Sequence, residues 1–213
     1  MRKTLIYQCL VAICIFTFLL FNNNKFQAFL LTSEPTVISK GTFGQSMLIE
    51  ISYSHKELSD WITALQGKQV LYLLEYDWMM RSDELIKLLQ QQNERTGLLL
   101  HDDIDAKDLP HYIESYTKVF KEKPIWAACM PMTCSKELTA LLFDHEINTL
   151  SPSIYLEKET TPSFEKGDII SYRIERGVPL SKNVLDTLTR KNFISIEENI
   201  LGFTTQTKRY PNP

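Results

Sequence analysis

The densest group of potential metal ligands in the chain is His101-Asp102-Asp103-Ile104-Asp105. His101 and Asp105 stand four apart, and an imidazole with a carboxylate can hold a divalent metal such as zinc, although a catalytic zinc takes about three protein ligands. The alternative is a solvated acidic loop that also caps a helix starting near Leu109. Arg173 is the second chemical feature. Its planar, permanently charged guanidinium suits a carboxylate or phosphate group, and with a pKa above ~12 it cannot donate a proton near neutral pH. Cys129 and Cys134 flank a short turn and can either pair in an oxidising compartment or stand as separate core thiols. The rings of Tyr53, Tyr76, Trp78, Trp126, Tyr155 and Tyr172 can stack on a sugar or fill a core. Of these, Tyr53, Trp78 and Trp126 join Arg173 as ligand-binding candidates. Ser52, His55 and Asp60 invite a hydrolase triad, but the chain has no G-x-S-x-G elbow, and that reading is rejected.

These residues need a scaffold, and apolar periodicity supplies one. Met47 to Tyr53, Gln69 to Leu74, Leu98 to Leu100, Ile125 to Cys129 and Asp168 to Tyr172 read as strands. A loose run from Ile147 to Leu156 offers a further strand, and Phe193 to Ile196 a seventh. Between them, Lys56 to Leu65, Ser82 to Gln92, Leu109 to Lys121, Ser135 to Phe143 and the segment around Val184, Leu185 and Leu188 carry helical spacing. Alternating strands and helices predict a parallel α/β barrel-like sheet. The stretch Glu157 to Glu165 is too short and polar for an ordinary crossover helix, which makes the barrel irregular.

The chain has 213 residues, 44% of them hydrophobic, enough for one sizeable core. A net charge of -3 without basic clusters argues against nucleic acid. Arg2 and Lys3 precede the apolar run Leu5 to Phe21, and no small-x-small cleavage site follows it. This predicts a signal anchor over residues 1–31 with the domain outside the membrane. A stalk over 32–45, a domain over 46–203 and a tail over 204–213 complete the organisation.

The segment Lys166-Gly167-Asp168-Ile169-Ile170, with Lys191 to Leu201 closing the same unit, resembles the last third of polysaccharide deacetylases of the NodB-homology type. Gln69 to Trp78, Ser82 to Leu89 and Lys123 to Ala127 extend the resemblance over the scaffold. It implies an irregular (β/α)7 barrel and a metal-dependent hydrolysis of N-acetyl groups. The family's catalytic motifs do not carry over. The TFDDG motif falls on Glu50 to Ser54, leaving Ser52 and Tyr53 in place of its aspartates. The HSxxH motif falls on Asp102 and Ala106, or on His101 and Asp105. RPPYG falls on Ala128 to Met132 without its arginine, and the histidine of LLHD falls on Arg173. The resemblance therefore implies a degenerate, metal-free deacetylase-like domain that binds a glycan or a protein at the cell envelope. The alternative is an active N-deacetylase with an altered zinc site at His101 and Asp105.

Overall fold

The computed structural model describes residues 30–131, 133–156 and 163–202. The expected anchor at Leu5 to Phe21, most of the crossover and the tail lie outside the described residues. Among the described residues no helix is long and apolar enough to cross a membrane.

Among the described residues the sheet has eight strands, all paired in parallel. They are β1 (Val37–Ile38), β2 (Ser46–Ile51), β3 (Leu71–Glu75), β4 (Arg95–His101), β5 (Trp126–Met130), β6 (Asn148–Leu150), β7 (Ile154–Tyr155) and β8 (Ile169–Ile174), in the order β1-β6-β5-β4-β3-β2-β8-β7. β6 lies next to one edge and β7 forms the other, yet only Ser151, Pro152 and Ser153 separate them. Four Cα steps reach at most about 14 Å, so the sheet must curl until its edges approach. The crossing segment stitches them: Ser151 N donates to the Ile38 carbonyl of β1, and Ser153 N to the Ile169 carbonyl of β8. The result is a curled, incompletely closed barrel.

Strand alternation divides the side chains between two cores. Outward residues such as Ile49, Ile51, Tyr72, Leu74, Leu98, Leu100 and Ile170 meet the helices. These helices are α1 (Leu58–Ala64), α2 (Tyr76–Arg81), α3 (Asp83–Gln91), α4 (Leu109–Phe120), α5 (Lys136–Asp144) and α6 (Lys182–Arg190). Inward residues Leu48, Leu71, Leu73, Leu99, Trp126, Ala128, Leu150 and Ile169 fill the barrel. Gly97 shares that interior, where a Cβ would lie 2.6 Å from the Trp126 carbonyl oxygen. A side chain there would push β5 away.

A final helix, α7 (Ile196–Leu201), seals the barrel's base. Ile196 enters the interior cluster, and Glu197 takes a hydrogen bond from the Trp126 indole at 2.9 Å and an ion pair from Arg95. This helix corrects the expected seventh strand at Phe193 to Ile196. Ser195 accepts a hydrogen bond from Glu198 N, acidic residues fill the first turn, and the cap outweighs a short β-branched run. The expected strand at Ile147 to Leu156 divides into β6 and β7 because Pro152 breaks the ladder. Within the stretch expected to form a stalk, Val37 and Ile38 form β1 and pair with β6. The short helix α2 was also unexpected. Its N-cap, Glu75, is the last residue of β3 and accepts from Trp78 N.

Candidate functional site

Parallel pairing puts every strand's carboxyl end at one mouth, where residues from several strands can converge. The register aligns Glu50 of β2 with Arg173 of β8, and Leu48 with Ser171. Alternation turns Glu50, Ser171 and Arg173 inward together. Glu50 is fully buried. Its Oε1 accepts the Ser171 hydroxyl at 2.6 Å, and its Oε2 accepts Arg173 Nε at 2.7 Å and pairs with Nη2 at 2.6 Å. Arg173 Nη1 donates to the Pro131 carbonyl at 2.8 Å, and the guanidinium lies 5.2 Å from the centre of the Tyr155 ring. One arginine thereby links β8, β2, β7 and the loop after β5. Burial, with Glu50 nearby, pushes the Tyr155 phenol above its ordinary range, and Arg173 opposes the shift.

The loop after β5 is itself fixed. Cys129 and Cys134 form a disulfide across it, closing the alternative the sequence left open. The Met130-Pro131 peptide is cis. Asp102 Oδ1 accepts Ser135 N at 2.5 Å, so this carboxylate is committed to the start of α5.

The other sequence candidates are scattered. Trp78 is fully buried and donates its indole N–H to Ser54 Oγ at 2.8 Å, while Trp126 is buried at the base, at the opposite end from the mouth. Both rings are therefore enclosed by the protein in this structure. Helical and strand spacing had placed these rings on elements without revealing which end or side they occupy. Tyr53 is half-buried at the mouth and meets His55 edge-on at 5.0 Å. Arg173 is at the mouth as expected, but Glu50 already compensates its charge, so it is no free anion site. His101 is exposed at the end of β4, 3.9 Å from Glu75 Oε1. Asp105 instead accepts from Lys107 N at 3.0 Å. Ser52, in the position the resemblance gives to a catalytic aspartate, donates its hydroxyl to the Ile174 carbonyl at 3.3 Å.

The metal implied by the resemblance does not fit these residues. Among the described residues no three His, Cys, Asp or Glu side chains converge, and Glu50 is saturated by Ser171 and Arg173. Glu50, Glu75 and Ser171 were missed as site residues. A glutamate inside the apolar run Met47 to Tyr53 and an arginine inside Ile169 to Ile174 were the available signal, since isolated opposite charges on two buried strands need each other.

No family model matches the sequence, and no curated protein does. Solved structures do. A family 4 carbohydrate esterase from Bacillus anthracis superposes with a TM-score of 0.59 at 13% identity, over 76% of this chain and 85% of that one. The fold is that of the family 4 carbohydrate esterases. A chitin deacetylase from the fungal pathogen Colletotrichum lindemuthianum matches at 0.58 and 10% identity, over 80% of this chain and 93% of that one. A family 4 pseudoenzyme from Bacillus anthracis matches at 0.60 and 11%, over 74% of this chain and 63% of that one. Its mutant with restored enzymatic activity matches at 0.61 and 12%, over 78% and 71%. The polysaccharide deacetylase scaffold is therefore shared by active and inactive proteins, and the family 4 fold alone leaves activity open.

Proposed function

We propose that this chain is a catalytically silent family 4 module, tethered to the membrane by Leu5 to Phe21 and displayed outside it, where it binds an envelope glycan. The carrying observation is the Glu50–Arg173 pair. The guanidinium occupies the barrel mouth, and the carboxylate beneath it, which would otherwise be the buried ligand there, is already bonded to Arg173 and Ser171. Ser52 and Tyr53 supply neither the carboxylate base nor the ligand that acetamide hydrolysis on this scaffold requires. The buried Cys129–Cys134 disulfide supports an oxidising, extracytoplasmic setting. The pseudoenzyme from Bacillus anthracis supports the idea that this fold is retained without its chemistry.

The test is a metal analysis of the purified full chain together with an assay for acetate release from N-acetylated glycans. The expected result is no stoichiometric metal and no acetate. Stoichiometric zinc that disappears in His101→Ala, with acetate release, would replace this reading by an active deacetylase with a rearranged site. Recovery of the protein in the soluble fraction after cell breakage would defeat the tether.

A further inference from the structure

Next to the blocked mouth, the start of α2 and the first turn of α4 bring together Tyr76, Tyr112 and His111, and the same segments carry Glu75, Asp77 and Asp108. Tyr76 and Tyr112 stack with ring centres 4.1 Å apart and planes 5° from parallel. Both rings are half-buried, packing on the core yet reaching solvent. The Tyr76 hydroxyl is hydrogen-bonded to His111 Nε2 at 2.8 Å, which fixes the outer edge of the stack. Asp77 follows Tyr76 in the first turn of α2, Glu75 caps that helix, and Asp108 stands one turn before Tyr112, whose amide donates to the Asp108 carbonyl at 3.1 Å. Burial pushes the Tyr112 phenol up, and Asp108, Asp77, Tyr76 and Glu75 add to the shift. Glu75 keeps Oε1 directed toward exposed His101. Basic groups of the same segments have other partners: Lys107 Nζ stands 4.0 Å from Asp105, and Arg81 donates to the Ser52 carbonyl.

A flat phenol stack accepts the C–H face of a pyranose ring, and its electron-rich faces favour a cation. Carboxylates at the rim favour an ammonium group and repel a phosphate or uronate. We infer that the Tyr76–Tyr112 ledge binds a glycan carrying free amino groups, with a glucosamine-type ring on the solvent-reaching side of the half-buried stack and its ammonium among Glu75, Asp77 and Asp108. The inference rests on the reading of the chain as a silent glycan module. On this account the chain reads sugars from which acetyl groups have already been removed, so a separate amide-hydrolysing reaction must supply its ligand.

The experiment is calorimetric titration of the full chain in detergent with a short glucosamine oligomer and with its N-acetylated counterpart, in mildly acidic, low-salt buffer. The amino form should bind at least about tenfold more tightly, and the preference should shrink with added salt. Tyr112→Ala should weaken binding about tenfold, Tyr112→Phe should preserve it, and the exposed change Asp77→Asn should weaken it severalfold without disturbing the fold. Equal affinity for the two oligomers, indifference to Asp77→Asn, or equally tight binding of a lysine oligopeptide overturns the inference. Tighter binding of the N-acetylated oligomer, abolished by Tyr112→Ala, overturns the amino-sugar assignment but leaves the silent glycan module standing. Acetate release defeats that module instead.

Discussion

Glu50 and Arg173, 123 residues apart in sequence, occupy the same level of neighbouring parallel strands, and the carboxylate accepts a hydrogen bond from the guanidinium Nε while pairing with Nη2 at 2.6 Å. A buried charge left alone is far more costly than a buried pair removed whole. Either Arg173→Met or Glu50→Met should therefore destabilise the domain by about 3–5 kcal/mol, while the double change Glu50→Met with Arg173→Met should cost much less than the sum. Urea unfolding of the four proteins measures this. Additive costs would mean that the two residues act independently and that the arginine's contacts with Pro131 and Tyr155 dominate.

A second buried carboxylate makes stability depend on pH. Glu94 lies between α3 and β4 at 6% exposure, and loss of hydration raises its carboxyl from 4.5 to about 7, against an opposing hydrogen bond from the Gly67 backbone. Between these values the folded state keeps a proton that the unfolded chain has released. Stability is therefore fullest below the unfolded value and falls as pH rises toward the folded one. The loss should be on the order of 1–2 kcal/mol after discounting residual contact with solvent. Comparing urea midpoints in mildly acidic and mildly alkaline buffer should show the decline in the native chain and flatten it in Glu94→Gln. Identical slopes in the two proteins would assign the decline to other groups.

The base of the barrel depends on Asn199, which is wholly buried. Its Nδ2 donates to the carbonyls of Gly167 and Asp168, its Oδ1 accepts Gly44 N at 3.0 Å, and its own carbonyl accepts the amides of Thr42 and Phe43. Gly167 adopts φ +93, and a Cβ there would strike the Gly41 backbone, so no side chain can replace the asparagine's bridging role from that side. Asn199→Ala should cost about 3 kcal/mol by leaving buried backbone groups unpaired. Asn199→Asp should cost more, because a carboxylate would face two carbonyl oxygens. Thermal unfolding checks the ranking, and an aspartate variant as stable as the alanine one would contradict it.

Much of the scaffold was legible because it is local. The spacing of Leu85, Ile86 and Leu89 or of Val184 and Leu188 announces a helix with one buried face, and the cores confirm those faces. The misread stretch, Phe193 to Ile196, is β-branched, but a serine cap followed by two glutamates decides its structure. β1 and β7 have two residues each, too few for any period to register. At the site, Arg173 was recognisable as a fixed charge, whereas its neutralisation by Glu50 depends on a strand register that no local pattern encodes. The placement of Trp126 was readable in principle, since the first residue of a parallel strand belongs to the base and not the mouth.

The hydrogen bond from Leu31 N to Asn148 Oδ1 pins the beginning of the described chain to the first residue of β6. Leu31 therefore stands at the barrel's floor, and were the proposed tether to hold that end at a membrane, the Tyr76–Tyr112 ledge near the opposite end would face away from the lipid. A polymer layer lying beyond the bilayer would then meet the mouth end of the barrel, where that ledge lies. In reconstituted vesicles, a fluorophore at Ile125, exposed at the floor, should be quenched by lipid-borne quenchers more strongly than one at exposed Asp103; the reverse order would turn the molecule over.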